Sequence, residues 1–130
     1  MSLPIEFKSL KLVASDKFKR QRQIKAKLIT PLNADVTVLI GKQAIQVKIG
    51  QQLWLPHECL HTLTTQQDVT LDIVLFSARV TGTLPNNYFK INNATLLTAL
   101  IAEIKTTEDP SAKNHLHQVC LDQINKLAHI

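Results

Sequence analysis

Glycine is scarce in this chain, three in 130 residues with no two close together, which excludes a glycine-rich loop of the kind that cradles phosphates. Cysteine is scarcer: Cys59 and Cys120 lie far apart and form no C-x-x-C pair, so neither a disulfide framework nor a zinc knuckle is expected, only ordinary buried thiols. Histidine is missing from the first 56 residues: the five are His57, His61, His115, His117 and His129. No apolar run approaches the ~20 residues needed to span a bilayer, and the opening MSLPIEFKSL lacks the apolar segment of a secretory signal. These absences predict a cytoplasmic protein with no membrane partner.

What is present fits one domain over residues 1–130: the composition is 45% hydrophobic, and the length allows a real core. Positive charge is concentrated. Lys8, Lys11, Lys17, Lys19, Arg20, Arg22, Lys25 and Lys27 face only Asp16 in that stretch, so it holds more than the whole chain's net charge of +5. Nucleic-acid contact would want such a patch joined to a recognition helix or to stacking aromatics, and neither accompanies it. From Ile24 the segment alternates Ile24, Ala26, Leu28 with Lys25 and Lys27, which predicts a half-buried strand with a basic solvent face; such lysines also discourage edge-to-edge pairing.

Other strands follow at short intervals. Residues 5–14 read as an edge strand or arm, Val36 to Ile40 as a β-prone run ending at Gly41, and Gln43 to Ile49 as a clean alternation with Ile45, Val47 and Ile49 on one face. Leu53-Trp54-Leu55 is a short apolar strand, and His61 to Thr64 continues after Pro56. In Val69 to Phe76, Val69, Leu71, Ile73 and Leu75 share a face; Val74 and Phe76 lie opposite, so part of the second face is expected to be covered. Residues 82–87 read as a loop and Tyr88 to Ile91 as a last strand. With no helical period before residue 90, a sandwich or barrel is predicted for residues 1–92.

The period then changes. Leu96, Leu97, Leu100, Ile101 and Ile104 form a helical stripe that Asn93 is placed to cap, and Asp109-Pro110 opens a second helix bearing Leu116, Val119, Cys120, Ile124 and Leu127. The helix pair, residues 93–130, needs a partner surface. Either it lies back on the barrel or its stripe, Leu97, Leu100, Ile104, Leu116, Cys120, Ile124 and Leu127, meets a second copy in a homodimer.

The histidines do not make a metal site by themselves. His57 and His61 are four apart, about 13 Å along a strand, and His115 and His117, two apart on a helix, do not face each other. His129 lies at the chain end. Cys59 has no evident base and orienting group, as a nucleophile would need. No metal, no cofactor and no catalytic residue is assigned.

The stretch Gly50 to His61, GQQLWLPHECLH, spaces glycine, five residues, proline, one residue, Glu58, two residues and His61. This resembles the second conserved motif of the cupins, which has glycine where Glu58 stands. Counting back from Gly41 as the end of the first motif, the resemblance places Ala34 at the family's glutamate ligand and Lys27 and Ile29 at its two histidines, or Leu28 and Thr30 in a shorter variant. None of these builds the usual metal centre, so the resemblance implies a metal-free cupin: a small double-stranded β-helix, or jelly-roll, barrel followed by two C-terminal α-helices. The order of basic segment, barrel and helix pair is similar to the N-terminal effector-binding and dimerisation domain of AraC-type transcription regulators. That likeness implies a small-molecule effector, a sugar or aromatic compound, in a pocket near Trp54, His61 and Leu63. It also implies dimerisation through the helices, and DNA contact through a separate helix-turn-helix part. The alternative is a standalone metal-free cupin enzyme, such as a sugar isomerase or epimerase, with His61 as base; a scaffold without ligand is the third reading.

Overall fold

A computed structural model describes residues 5–14, 21–23, 25–76, 85, 87–92 and 95–128, the backbone alone for 21–23. Lys17, Lys19, Arg20, Ile24, most of the 82–87 loop, the cap residue Asn93 and His129 lie outside the described residues. Nine strands precede two helices: β1 (Ile5–Leu12), β2 (Gln21–Gln23), β3 (Ala26–Pro31), β4 (Val36–Ile40), β5 (Gln43–Val47), β6 (Gln52–Leu55), β7 (Cys59–Thr64), β8 (Val69–Phe76), β9 (Phe89–Ile91), α1 (Thr95–Thr106) and α2 (Pro110–Leu127). The fold is mainly β with a C-terminal helix pair, as the alternation and the change of period predict.

The strands form two antiparallel sheets, β1-β8-β3-β6-β9 and β2-β7-β4-β5. β4 and β5 make a tight hairpin in which Ile40 pairs with Gln43. Gly41 takes the positive φ of 59° that such a two-residue turn demands. The second helix starts as its sequence predicts: the Asp109 carboxylate accepts a hydrogen bond from the Ala112 N–H at 3.1 Å, with Pro110 at the first helical position.

Two apolar cores lie on opposite faces of the five-stranded sheet. One fills the space between the sheets, with Leu12, Ile29, Val36, Val38, Leu53, Leu55, Leu63, Leu71 and Leu75 among its members. The other joins the outer face, Ile5, Ala26, Leu28, Trp54, Val74 and Phe76, to Leu97, Ile101, Ile104, Cys120, Leu121 and Ile124 of the helices. The helices therefore cover the second face of β8, where Val74 and Phe76 were expected to need cover. Gln52, on that same side, donates from Nε2 to Thr30 Oγ1 at 3.0 Å and to Thr98 Oγ1 at 3.4 Å, tying β3 and α1 together through one amide.

Two expectations are corrected, and the resting place of the helix pair, left open between barrel and second copy, is the barrel. The basic face of β3 does not face solvent: β3 sits between β8 and β6 with a core on either side, so Lys27 is only 5% exposed. The strand at Gln43 ends at Val47, and Ile49 is an exposed turn residue. The helical stripe is already used within one chain. Leu97, Ile104, Cys120 and Ile124 are buried against the sheet, and Leu116 and Leu127 pack partly on the same cluster.

Candidate functional site

The site forms at the end of the inter-sheet space where β3, β7 and β1 begin. Directly opposite residues of an antiparallel pair point to the same side, so the register fixes one row across the large sheet: Glu6 beside Leu75, Leu75 beside Lys27, Lys27 beside Leu55. Leu75 and Leu55 belong to the inner core, which turns Lys27 inward between two leucines. Facing it, β7 alternates Cys59, His61 and Leu63 toward the same core, with Leu60, Thr62 and Thr64 on the other face.

The approach to β7 has a conformational signature. Glu58 takes a φ of 58°, in the left-handed region, the reason for a glycine at this point of the resembling motif. His57 lies in this turn between β6 and β7.

His61 is 2% exposed. Its Nδ1 lies 2.9 Å from the Cys59 carbonyl oxygen, which can only accept, so Nδ1 carries the proton and donates. Nε2 then bears the lone pair and lies 3.2 Å from Lys27 Nζ. Burial lowers the His61 pKa, the Cys59 carbonyl partly offsets this, and the charge of Lys27 lowers it further. The imidazole is held neutral. Burial likewise lowers the pKa of Lys27, the like charge of Lys8 adds to that, and Cys59 acts in the opposite sense. The Cys59 thiol is pushed up by burial, with Lys27 opposing. Next to this group Lys25 is paired with Glu6, both about 30% exposed. Glu6 is lowered chiefly by its hydrogen bond from Lys25. This end of the barrel thus brings Lys8, Lys25 and Lys27 together, with Glu6 taken by Lys25, and borders solvent through the Lys25–Glu6 pair.

The position of Lys27 decides between the two frames of the motif count. Lys27 and Ile29 point inward, whereas Leu28 faces the helices, so the Lys27 and Ile29 frame holds and the Leu28 and Thr30 frame does not. Lysine, isoleucine and Ala34 beside a single histidine do not fit a metal ion as a donor set. Among the described residues, no three His, Cys, Asp or Glu side chains converge on one point.

Of the three predicted pocket residues, the structure brings together His61 and Leu63 in the inner core. Trp54 is on the other side of its sheet. It is fully buried beneath the helices, tilted against Phe76 at 5.3 Å between ring centroids, and its Nε1–H donates to the Pro85 carbonyl at 3.2 Å. Its neighbours Leu53 and Leu55 are the residues of β6 that turn inward. Lys27 is the residue that sequence reasoning passed over as a site member; the motif count had placed it, as a missing histidine.

A groove of about 310 Å³ opens at the opposite end of the strands, lined by Asn33, Asp35, Gln46, Thr65 and Gln67 among others. Its polar groups bond mainly to one another: Gln46 to the Asp35 carboxylate at 3.3 Å, and Thr65 Oγ1 to the Gln67 carbonyl at 2.6 Å. It reads as a solvated set of turns.

No protein-family model matches the chain, and no curated protein matches it either. Solved structures do. A cupin-2 domain protein from Shewanella frigidimarina matches over 59% of this chain and 74% of its own, at 13% identity and a TM-score of 0.52. A cupin superfamily protein from Desulfitobacterium hafniense matches over 58% and 70%, at 10% identity and a TM-score of 0.54. The chain has the cupin fold. Apo ToxT K231A from Vibrio cholerae, an AraC-family protein, matches 92% of this chain, at 8% identity and a TM-score of 0.66. The present chain spans 53% of that ToxT chain. A 92% match must take in part of the helix pair as well as the cupin barrel. No helix among the described residues is long and apolar enough to cross a membrane.

Proposed function

We propose that this cupin is the effector-binding sensor part of an AraC-type transcription regulator, taking a small organic molecule into the barrel end that carries Lys27 and His61. The observation that carries the reading is the buried Lys27–His61 contact. A lysine in the core of a β-barrel is a large loss in a purely structural design, because a desolvated ammonium costs several kcal/mol and a leucine would fill the space. A ligand that engages both side chains gives the pair its reason. The likeness to ToxT over barrel and helices favours regulation over the enzymes that share the fold, and DNA is reached through a separate helix-turn-helix part.

The test is a thermal-shift screen of small acids, sugars, aromatics and carbonyl compounds. A binder at 100 times its dissociation constant adds ~2.7 kcal/mol. Shifts that vanish in Lys27→Met and His61→Gln support the site; a screen with no shift, or one indifferent to both variants, counts against it.

Dimerisation belongs to the same proposal, with a changed surface. Because most of the predicted stripe packs on the sheet, the pairing face is the outward side of α1, which keeps the half-buried Leu100 of that stripe and adds Leu96, 56% exposed. Leu96→Asp with Leu100→Asp is expected to give a monomer by light scattering, and an unchanged mass excludes this face. A second reading, an isomerase or epimerase, is favoured by one contact: the Cys59 carbonyl orients His61 as a general base requires. Turnover of a sugar that His61→Ala abolishes would establish it.

A further inference from the structure

A buried ammonium normally has a carboxylate against it. At this end of the barrel Glu6 is bonded to Lys25, and the hydrogen-bond partner found for Lys27 Nζ among the described residues is a neutral imidazole nitrogen. Burial between Leu55 and Leu75 and the like charge of Lys8 both favour the uncharged amine over the ammonium. The amine is a nucleophile and the ammonium is not. A desolvated lysine beside another cation is an arrangement that activates the amine toward carbonyl carbon. His61 supplies the second requirement, since its Nδ1–H is committed to the Cys59 carbonyl and its Nε2 lone pair faces the amine.

From this contact between a buried lysine and a fixed, neutral histidine, we infer that Lys27 captures an aldehyde or ketone group of the domain's ligand as a reversible imine, with His61 relaying the protons. The inference rests on the reading of this barrel end as the ligand site, and it deepens that reading by naming the ligand's reactive group. The Lys27 amine attacks the carbonyl carbon, and one proton passes from nitrogen through His61 Nε2 to the carbonyl oxygen, giving a neutral carbinolamine. The nitrogen lone pair then forms the C=N bond as the hydroxyl leaves. The remaining N–H proton travels by the same nitrogen to the departing hydroxyl, which leaves as water. One carbonyl oxygen and the two amine hydrogens become one water, and nothing is oxidised or reduced. Leu55, Leu63 and Leu75 around the amine suit a ligand whose carbonyl is attached to an apolar body.

The full chain is treated at pH 7.5 with butanal and sodium cyanoborohydride, which reduces an imine to a stable secondary amine, and the labelled lysines are mapped by peptide mass spectrometry. Lys27 is expected to label at least about tenfold faster than the exposed Lys42, Lys48 and Lys126. His61→Gln should slow Lys27 alone by about tenfold or more, as loss of a positioned proton acceptor does. Labelling of Lys27 at or below the rate of the exposed lysines overturns the imine, whatever any variant does. Butanoate and butanol, which form no imine, separate this failure from that of the ligand site. A thermal shift from either that Lys27→Met removes, in a protein whose Lys27 stays unlabelled, retains the site and rejects the imine. Absence of both signals rejects the two together.

Discussion

The two faces of the five-stranded sheet bury polar groups in different ways. Under the helices, the amide of Gln52 is buried and uncharged, and its Nε2 is given to two hydroxyls that join strand to helix. Between the sheets, the buried polar groups among the described residues are an amine and an imidazole, Lys27 and His61, set against each other, while Glu6 is bonded to Lys25. The Gln52 amide ties strand to helix through Nε2 while its Oε1 has no partner, whereas Lys27 and His61 are two basic groups bonded to each other. One face holds the helices; the other is the face we propose takes a ligand.

The sharpest way to break this comparison is Trp54→Ala. Emptying a fully buried indole is expected to cost about 3–5 kcal/mol in urea unfolding, while the labelling of Lys27 in the surviving folded fraction stays unchanged. A loss of labelling without loss of stability would return Trp54 to the ligand site.

Lys27→Met should do the reverse. Replacing a buried basic side chain with a volume-matched apolar chain is often neutral or stabilising, and the freed His61 Nε2 costs about 1–3 kcal/mol as an unsatisfied buried group. The two effects oppose, so the unfolding free energy is expected to stay within about 2 kcal/mol of the parent while ligand-dependent shifts disappear. A collapse of stability would make Lys27 a structural member of the inner core.

Acid should act more selectively. His61 has its pKa lowered by burial, so below the unfolded value near 6.5 the unfolded chain binds a proton that the folded site resists, and stability falls as pH drops from 7 toward the folded value. His117, also lowered by burial and by Lys113, adds to the same slope from the helix side. Urea midpoints at pH 7.5 and 5.5 should show the loss shrinking in His61→Gln and in His117→Asn; a slope that neither variant changes would place acid sensitivity elsewhere. The smallest effect belongs to the turn into β7. Glu58→Gly relieves a left-handed residue at some expense in chain entropy, a gain of at most about 1 kcal/mol, and should leave both faces as they are.

Much of this architecture was legible from period alone. The alternation over Val69 to Phe76, the turns at Gly41 and Gly50, and the Asp109-Pro110 helix start each need only a few neighbouring residues to specify them, and each appears as the pattern implies. The site was half legible. His61 carries a motif spacing, but Lys27 lies in Ala26-Lys27-Leu28-Ile29, where a charged residue among apolar ones suggests a wet face. That inference fails in a strand covered on both sides: the helices take the face of Ala26 and Leu28, and β7 of the second sheet, with His61, takes the face of Lys27. Trp54 illustrates the converse. Period two separates it from Leu53 and Leu55, yet which of the two faces meets His61 is set by pairing with β3, a contact no local pattern contains.

β3 runs through both cores at once: Ala26 and Leu28 lie under the helices, and Lys27, between them in the chain, lies in the barrel. Adjacent Cα atoms are about 3.8 Å apart across a rigid peptide. The strand therefore behaves as a short lever with its handle in one compartment and its load in the other. Any displacement of the Lys27 backbone would also displace Ala26 and Leu28, which share a core with Leu97, Ile101 and Ile124.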